Sequence, residues 1–432
     1  MNVRRSAAVI TAAVTVIGLA APAAVADSSP APSASPSLPS GLYGSTDPQY
    51  DGVWRQSLAL LAQHTVGVRP AAEAVDWLTG QQCADGSFPA FRADPGKACD
   101  ARTAVDTNST AAAVQALAAL GGHDAATGKA VSWLKSVQNK DGGWGYTPGG
   151  PSDANSTSLV IGALAAVGEK PESVVKNGTS PYDALMGFAL PCSGDGGGAF
   201  AYQPDKKGEL TANADATAAA VVGALGQGMA AKGGSGKDAD GAARCVDAGK
   251  NNKNNKGDRP DPARAAANGA SYLARAVAKD GHLVSSLPGA DDQPDYGNTA
   301  DAVVALAVQG GAAQAQKPLK WLERNFKEWA EQSGPAAYAQ LIFAAHAAGA
   351  DPRDFGGVDL VERLNATGPA PRAADGKQAE ATAKNTAKDV DSAQNSPSGT
   401  WWAVAGGVLL AAAAGVGLVL RGRGNKQREQ QP

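Results

Sequence analysis

Two patterns of apolar and polar positions alternate along residues 45–365 of the chain. In the first pattern, exemplified by residues 129–138, apolar side chains recur every three or four positions with polar ones between them. This spacing predicts an amphipathic helix that buries one face. In the second pattern, exemplified by residues 111–121, nearly every position is apolar, which predicts a helix buried on all sides. An outer ring and an inner ring of helices require this alternation.

The alternation predicts six helices of each kind and therefore an all-α fold, an α/α toroid. We expect the inner helices near residues 50–64, 108–120, 155–167, 214–229, 297–310 and 335–348. We expect the outer helices near residues 71–82, 126–138, 172–190, 262–278, 316–331 and 353–365. Residues 231–261 are mostly polar and are predicted to form a loop.

An internal repeat supports the ring. In two copies an aromatic residue is followed by Gln after five positions, by Asp after eight and by a second aromatic residue after eleven. The copies comprise Trp77, Gln82, Asp85 and Phe88, and then Trp133, Gln138, Asp141 and Trp144. A Gly follows each Asp and can adopt the left-handed conformation that ends a helix. Looser copies surround Asp195 and Asp280.

The second copy, residues 129–144, resembles the glutamine-tryptophan motif of squalene and oxidosqualene cyclases at every position. Residues 45–365 are therefore similar to the prenyltransferase and squalene-oxidase repeat proteins of the terpenoid cyclase superfamily. The resemblance implies an α/α toroid. Because the superfamily includes cyclases, protein prenyltransferases, complement-type thioester domains and cobalamin carriers, the resemblance leaves the function open.

Cyclases of this superfamily that protonate their substrate carry Asp-x-Asp-Asp before an inner helix, where neighbours keep the central acid protonated. Four segments have that frame with other residues in it: Asp106-x-Asn108-Ser109, Asp153-x-Asn155-Ser156, Asn213-x-Asp215-Ala216 and Asp295-x-Gly297-Asn298. Asp215 keeps the central carboxyl but lacks acidic neighbours at 213 and 216, so it is a weak catalytic candidate. These segments are predicted to cap helices.

The sequence also lacks the residues that other members of the superfamily use for zinc binding or for a thioester. None of the four His lies at zinc-ligand spacing from a Cys, and the thioester sequence Cys-Gly-Glu-Gln is absent. Residues 291–295 match a magnesium-diphosphate motif, but Pro294 would break the helix which that motif needs, so a loop is predicted. The sequence therefore favours a protein without metal, without cofactor and without enzymatic activity.

Composition excludes two further classes. The 432 residues are 43% hydrophobic and 18% charged, with a formal net charge of −3, which is typical of a globular protein and not of a disordered one. This charge disfavours a nucleic-acid partner.

The beginning of the chain predicts export. Residues 1–26 contain two Arg, an apolar run and a small-residue cleavage site, which is typical of a secretory signal peptide. Residues 27–44 are rich in Pro, Ser and Ala and are predicted to form an extended arm.

The end of the chain predicts a membrane anchor. Residues 366–400 have almost no large apolar side chains and are predicted to be a flexible tether. Residues 401–420 contain no charge and are long enough to span a bilayer. The basic residues of the tail 421–432 place it in the cytoplasm. We therefore expect a single-pass protein of the cell membrane with an extracellular N-terminal domain.

An exported protein with an even number of Cys is expected to form disulfides. Of the three pairings of the four Cys, the most local joins Cys83 to Cys99 and Cys192 to Cys245. Free or metal-bound thiols are the alternatives.

The sequence predicts that the toroid binds a small amphiphilic ligand, corrinoid-like or isoprenoid-like, in its ring, whereas a protein partner is not indicated. The candidate binding residues are Asp106, Asn108, Asp153, Asn155, Asp215, Tyr296, Asn298, Trp144, Phe88 and Tyr146. One alternative is a cyclase-like or prenyltransferase-like enzyme that acts on an isoprenoid. A second is a structural or adhesive surface domain with a filled ring centre.

Overall fold

The computed structural model describes residues 39–234, 244–247, 261–285, 293–310 and 312–373. The chain divides into a unit of residues 1–37, which lies outside the described residues, and a unit of residues 38–432, which contains the toroid. The signal peptide, residues 27–38 of the arm, most of the tether, the predicted span and the tail lie outside them. Within the described ranges, no helix is both long and apolar enough to cross a membrane.

Thirteen α-helices make up most of the described structure. In chain order they are α1 (Gly52–Thr65), α2 (Ala72–Gly80), α3 (Thr107–Leu120), α4 (Asp124–Ser136), α5 (Ala154–Ala166), α6 (Pro181–Met186), α7 (Ala214–Ala224), α8 (Pro262–Ala276), α9 (Tyr296–Val308), α10 (Ala312–Asn325), α11 (Lys327–Ser333), α12 (Pro335–Ala348) and α13 (Leu360–Asn365).

Six of these helices form a closed inner ring, which confirms the predicted toroid. Helices α1, α3, α5, α7, α9 and α12 each pack against the next, and α12 packs against α1. Their Ala, Val and Leu residues are almost entirely buried, as expected for helices without a polar face. Helices α2, α4, α6, α8, α10 and α13 lie outside the ring, and each contacts the inner helix before it in the chain.

Four of the predicted helices differ from the observed ones. The third outer helix is reduced to a 3-10 turn at Pro171–Ser173 and the short α6, because a tight turn intervenes at residues 176–179. The fifth is divided into α10 and α11, and the sixth begins only at Leu360, after a turn between Phe355 and Val358. Inner helix α7 ends at Ala224 instead of near residue 229.

The toroid is mostly helical, but it also contains two short antiparallel strand pairs that were not predicted. Strand β1 (Phe200–Ala201) pairs with β2 (Ala212–Asn213), and β3 (Leu283–Val284) pairs with β4 (Pro294–Asp295). In register, Phe200 lies opposite Asn213 and Leu283 opposite Asp295. The pairs therefore hold the residues that cap α7 and α9.

The repeat motif joins neighbouring units through hydrogen bonds. Gln138 Nε2 donates to the Gly142 carbonyl at 2.8 Å and to the Val174 carbonyl at 3.1 Å, and Gln82 makes the equivalent pair of bonds. Gly142 has a φ of 87°, and a Cβ there would lie 2.4 Å from the Ser180 carbonyl oxygen. The Gly is therefore needed both for its backbone conformation and for the close approach of the next unit.

A Thr in the first turn of four inner helices fixes the backbone that leads into the ring. Its hydroxyl accepts a hydrogen bond from the backbone N–H of the residue at the second aromatic position of the repeat. The pairs are Thr110 with Phe88, Thr157 with Trp144, Thr217 with Phe200 and Thr299 with Leu283. The alignment of the four sequence segments on this Thr thus has a structural reason.

The first and last parts of the described chain meet and complete the ring. The Gly44 N–H donates to the Thr367 carbonyl at 2.8 Å, and Gln63 Nε2 donates to Asn365 Oδ1 at 2.6 Å. Tyr43 is fully buried in the same region. The packed toroid therefore includes residues on both sides of the limits 45–365.

Both expected disulfides are present. Cys83 is bonded to Cys99 with their Cα atoms 5.6 Å apart, and Cys192 to Cys245 with a Cα separation of 5.5 Å. The first closes the loop after α2, and the second holds residues 244–247 next to the segment that precedes β1.

Candidate functional site

A cavity of about 260 Å³ lies inside the ring, lined by residues of all six inner helices. On α7 the lining side chains are Asp215, Ala218, Ala219 and Val222, and on α9 they include Asp301 and Val304. Because residues seven apart are two turns and roughly 10 Å apart along a helix, the polar groups lie near the helix N-termini and the apolar ones deeper. The cavity is therefore amphiphilic, with a polar rim and an apolar interior.

The chain segment after α7 crosses the opposite, C-terminal end of the ring. The Met229 N–H donates to Gln115 Oε1 of α3 at 2.9 Å, and the Gly234 N–H donates to the Ala307 carbonyl of α9 at 3.1 Å. A Cβ on Gly228 would lie 2.4 Å from Gln115 Oε1, so a larger residue there would displace the Gln115 side chain. Residues 227–229 line the cavity as its floor. Helix α7 ends earlier than predicted because the chain after it crosses the end of the ring and forms the floor of the cavity.

Two of the predicted site residues are helix caps. Asp106 accepts a hydrogen bond from the Ser109 N–H at 2.6 Å, and Asp153 accepts bonds from the Ser156 N–H at 2.6 Å and the Ser156 hydroxyl at 2.8 Å. Both carboxyls are buried at the cavity wall. Burial raises the pKa of each to about 6, although its hydrogen bonds lower it.

Two other carboxyls at the same rim cap no helix. Asp215 Oδ2 accepts a hydrogen bond from Asn155 Nδ2 at 2.7 Å, and Asp301 Oδ2 accepts one from Gln340 Nε2 at 3.3 Å. Burial and, after it, the nearby charge of Asp215 together raise the pKa of Asp301 to about 7. Burial also raises the pKa of Asp215.

Asp301 and Gln340 were not predicted from the sequence. Asp301 lies inside the apolar run of α9. A single charged residue in an otherwise apolar helix is the sequence feature from which it could have been predicted as a site residue. Asp215 lacks acidic neighbours in the sequence, but in space it has Asp301 beside it, contributed by the next inner helix.

Several polar atoms at the cavity wall have no hydrogen-bond partner. They are Asn108 Oδ1, Asn155 Oδ1, Ser158 Oγ and Gln340 Oε1. Asn155 and Gln340 each use their NH₂ group on a carboxylate, which leaves the amide oxygen facing outward from that bond. A buried polar atom without a partner costs about 1–3 kcal/mol, so an ordered water or a polar group of a bound molecule is expected to satisfy these atoms.

The aromatic residues of the cavity differ from most of those predicted. Tyr146 lines it, together with Tyr50, Trp54 and Tyr202, which the sequence did not indicate. The other predicted aromatic residues lie elsewhere. Trp144 is 1% exposed and its Nε1 donates to the Leu134 carbonyl at 2.7 Å, and Phe88 is fully buried in the core.

Tyr296 is also displaced from the predicted site. Its ring stacks on Trp329 with the centroids 5.4 Å apart and lies 4.9 Å from the ring of Trp321. Asn298 does line the cavity, and its Nδ2 donates to Asp295 Oδ2 at 2.7 Å. The structure therefore brings Asp106, Asn108, Asp153, Asn155, Asp215, Asn298 and Tyr146 together and places Tyr296, Trp144 and Phe88 outside the cavity.

No Lys, Arg or His is present among the described residues that line the cavity. One lining carboxylate, Asp51, has a cationic partner outside it, because Arg55 Nη1 lies 2.8 Å from Asp51 Oδ1. In the part of the chain that the structure describes, no group of three or more His, Cys, Asp or Glu is placed to hold a metal ion.

Comparison with known families agrees with this architecture. Residues 54–206 match the family model described as the prenyltransferase alpha-alpha toroid domain, which covers the first three inner helices. The match confirms the resemblance inferred from the glutamine-tryptophan motif. No curated protein matches the chain in sequence.

Solved structures of similar shape include enzymes of several kinds. The chain is similar to an ent-copalyl diphosphate synthase from Streptomyces platensis, with 16% identity, 69% of this chain and 50% of that chain covered and a TM-score of 0.43. It thus spans half of that synthase. A sugar epimerase from a ruminal bacterium has 15% identity, coverages of 72% and 93% and a TM-score of 0.45. A type II terpene cyclase from Scytonema has 16% identity, coverages of 66% and 81% and a TM-score of 0.30.

Proposed function

We propose that the toroid is an exported, membrane-anchored domain that binds a small amphiphilic molecule in its central cavity. The observation that carries this proposal is the set of unpartnered polar atoms on Asn108, Asn155, Ser158 and Gln340 around a cavity with an apolar interior. A polar end of the ligand satisfies these atoms, and an apolar body fills the space above the floor segment.

The size of the cavity narrows the ligand. Drug-sized molecules occupy pockets of about 300–1,000 Å³, so a cavity of about 260 Å³ suits a single isoprenoid-sized group. A whole corrinoid macrocycle exceeds that volume, and only one of its substituents would fit. The cavity volume therefore favours an isoprenoid-like ligand over a corrinoid-like one.

Export is supported by the two disulfides. Disulfides persist in oxidising compartments outside the cytoplasm, and both of these hold loops of the toroid. Together with the predicted signal peptide at residues 1–26 and the predicted span at residues 401–420, they favour a toroid that faces the outside of the cell. The toroid then meets ligands that arrive from outside or from the membrane surface.

The test is ligand capture by the full chain reconstituted in lipid nanodiscs, which avoids competition from detergent. Molecules released by denaturation are identified by mass spectrometry, and thermal unfolding is followed with a panel of small cationic, neutral and anionic amphiphiles. We expect at least one class to raise the unfolding temperature in proportion to its concentration.

A matched pair of variants assigns the binding to the cavity. Ala219→Phe fills the cavity from α7, whereas Ala125→Phe makes the same change on the exposed side of α4. The first variant should lose the ligand-induced shift and the second should keep it. Absence of any captured molecule and of any shift would favour the structural or adhesive alternative.

A catalytic function is a second candidate, because the structure supplies an acidic neighbour that the sequence lacks. The pKa of Asp301 near 7 beside Asp215 gives the cavity a carboxyl that is partly protonated at neutral pH, as general acids require. Incubation with squalene or a prenyl diphosphate tests this idea. A product that Asp301→Asn abolishes would establish catalysis, and unchanged substrate would remove it.

A further inference from the structure

The side chains around the cavity are strongly biased toward hydrogen-bond acceptors. Four carboxyls that line it have no ion-pair partner among the described residues: Asp106, Asp153, Asp215 and Asp301. No lining residue is cationic in the part of the chain that the structure describes. An anionic ligand such as a diphosphate would therefore be repelled from this cavity.

The unpartnered atoms have the same bias and are an independent observation. Asn155 Oδ1 and Gln340 Oε1 are amide oxygens, and their orientation is fixed because the NH₂ group of each donates to a carboxylate. An oxygen in that position can only accept a hydrogen bond. Ser158 Oγ, on a residue that is 4% exposed, also has no partner at the same wall. The missing partner must therefore supply donors.

Asp215 and Asp301 are the carboxyls with the greatest capacity for a new bond. Asp106 and Asp153 use their oxygens on helix N-termini, whose partial positive charge offsets their negative charge. Asp215 and Asp301 each accept only from one amide, and they lie close enough to each other for the charge of one to raise the pKa of the other. A positive charge between them would relieve this repulsion.

We infer that the cavity binds a ligand with a protonated primary amine, whose three N–H groups donate to Asp215, to Asp301 and to one of the amide oxygens of Asn155 and Gln340. This inference rests on the proposed function and specifies its ligand class. An ammonium group offers up to three donors and no acceptor, which matches the acceptors of the wall. The rings of Tyr146 and Tyr202 at the rim provide faces that attract a cation.

The test uses three probes with the same cyclohexyl body: cyclohexylmethylamine, cyclohexylmethanol and cyclohexanecarboxylate. Their affinities for the full chain in nanodiscs are measured by calorimetry at pH 8, where the amine is charged. We expect the amine to bind at least about tenfold more tightly than the alcohol and the carboxylate not to bind.

Variants assign the preference to the two carboxyls. Asp301→Asn and Asp215→Asn keep the size of the side chain and should reduce the ratio of amine to alcohol affinity to about one while the alcohol affinity changes little. Asp124→Asn on exposed α4 is the matched control and should keep the ratio. Because the alcohol still binds, its retained affinity also verifies that each variant is folded.

Each other outcome is decisive. Equal binding of amine and alcohol, or tighter binding of the carboxylate, overturns the inference while leaving the proposed binding function intact, provided that Ala219→Phe blocks the binding. If none of the three probes binds, the inference fails. The proposed function fails with it only when the capture experiment is also empty.

Discussion

The two sides of the cavity rim use the same residue type for different purposes. On the side of α3 and α5, Asp106 and Asp153 cap the helices and accept hydrogen bonds from the backbone. On the side of α7 and α9, other residues, Asn213 and Asp295, perform the capping. Asp215 and Asp301 are therefore not needed to cap these helices. An Asp on a buried inner helix therefore indicates a binding site only when another residue caps that helix.

Burial raises the pKa of the carboxyls on both sides, so titration alone does not distinguish them. The groups that donate hydrogen bonds to the carboxyls distinguish the two sides. Backbone N–H groups stabilise Asp106 and Asp153, whereas side-chain amides with unsatisfied oxygens hold Asp215 and Asp301. Stability should therefore depend mainly on the first pair, and binding mainly on the second.

The largest effect is expected from removing a cap. At pH 5, where the carboxyl is mostly neutral, Asp153→Ala should lower the free energy of unfolding by about 3 kcal/mol, because the Ser156 N–H and hydroxyl lose their acceptor. Asp215→Ala, the matched change on the other side, should cost less than about 1 kcal/mol. Urea unfolding of both variants measures the difference, and equal losses would contradict the division of roles.

Replacing Asp301 is expected to raise the free energy of unfolding, whereas replacing Asp153 lowers it. Its folded pKa of about 7 lies above the unfolded value of 3.8, so the folded state holds its proton more tightly and stability falls as the pH rises from about 4 to 7. This pKa difference corresponds to about 4 kcal/mol, of which water screens about half because the Asp301 side chain is partly exposed. Asp301→Asn cannot ionise and should therefore be more stable than the original protein by about 2 kcal/mol at pH 8.

The same variant should differ little from the original protein at pH 4, where Asp301 is protonated in the folded state and the same carboxyl is about half protonated in the unfolded chain. Urea unfolding at pH 4, 6 and 8 provides the measurement. A stability difference that does not change with pH would show that Asp301 is not the titrating group.

A smaller effect is expected on binding. Lowering the pH from 8 to 5 protonates Asp301 and should weaken cyclohexylmethylamine binding about tenfold, while cyclohexylmethanol is unaffected. Asp301→Asn should remove this pH dependence. A pH dependence that persists in Asp301→Asn would assign it to Asp215, Asp106 or Asp153, whose pKa values burial also raises.

The smallest effect is expected for Ser158. Because its hydroxyl has no partner, Ser158→Ala should change the free energy of unfolding by less than about 0.5 kcal/mol. The neighbouring Thr157→Val removes the acceptor of the Trp144 N–H and should cost about 1–2 kcal/mol. Thermal unfolding of the two variants compares them directly, and a large loss in Ser158→Ala would mean that its hydroxyl is bonded after all.

Local patterns predicted most of the fold because they depend on neighbouring residues. The six inner helices follow from apolar runs that open with capping residues, and the order of the ring follows from the alternation. The predictions failed where turns interrupt an apolar pattern, as at residues 176–179 and at Gly226–Gly228 after α7. Hydrophobic spacing continues through such turns and does not reveal them.

The site was predicted only in part, for a similar reason. Asp106, Asn108, Asp153, Asn155 and Asp215 occupy two positions of the repeat that are two residues apart, so they reach the same rim. Trp144 and Phe88 share another position, but their side chains pack inward between units. The direction of a side chain relative to a cavity depends on the packing of several helices, which the repeat spacing does not contain.

By itself, the sequence determined the class of the fold, the number of helices in the ring and the capping residues, and it favoured the observed disulfide pairing, because these features depend on short-range patterns or on few combinations. Only the tertiary structure decided which polar groups meet. Asn155 and Asp215 are 60 positions apart, Gln340 and Asp301 are 39 apart, and Gln115 meets Met229 across 114 positions. Closure of the ring creates these contacts, because it places the first turns of all inner helices around one space.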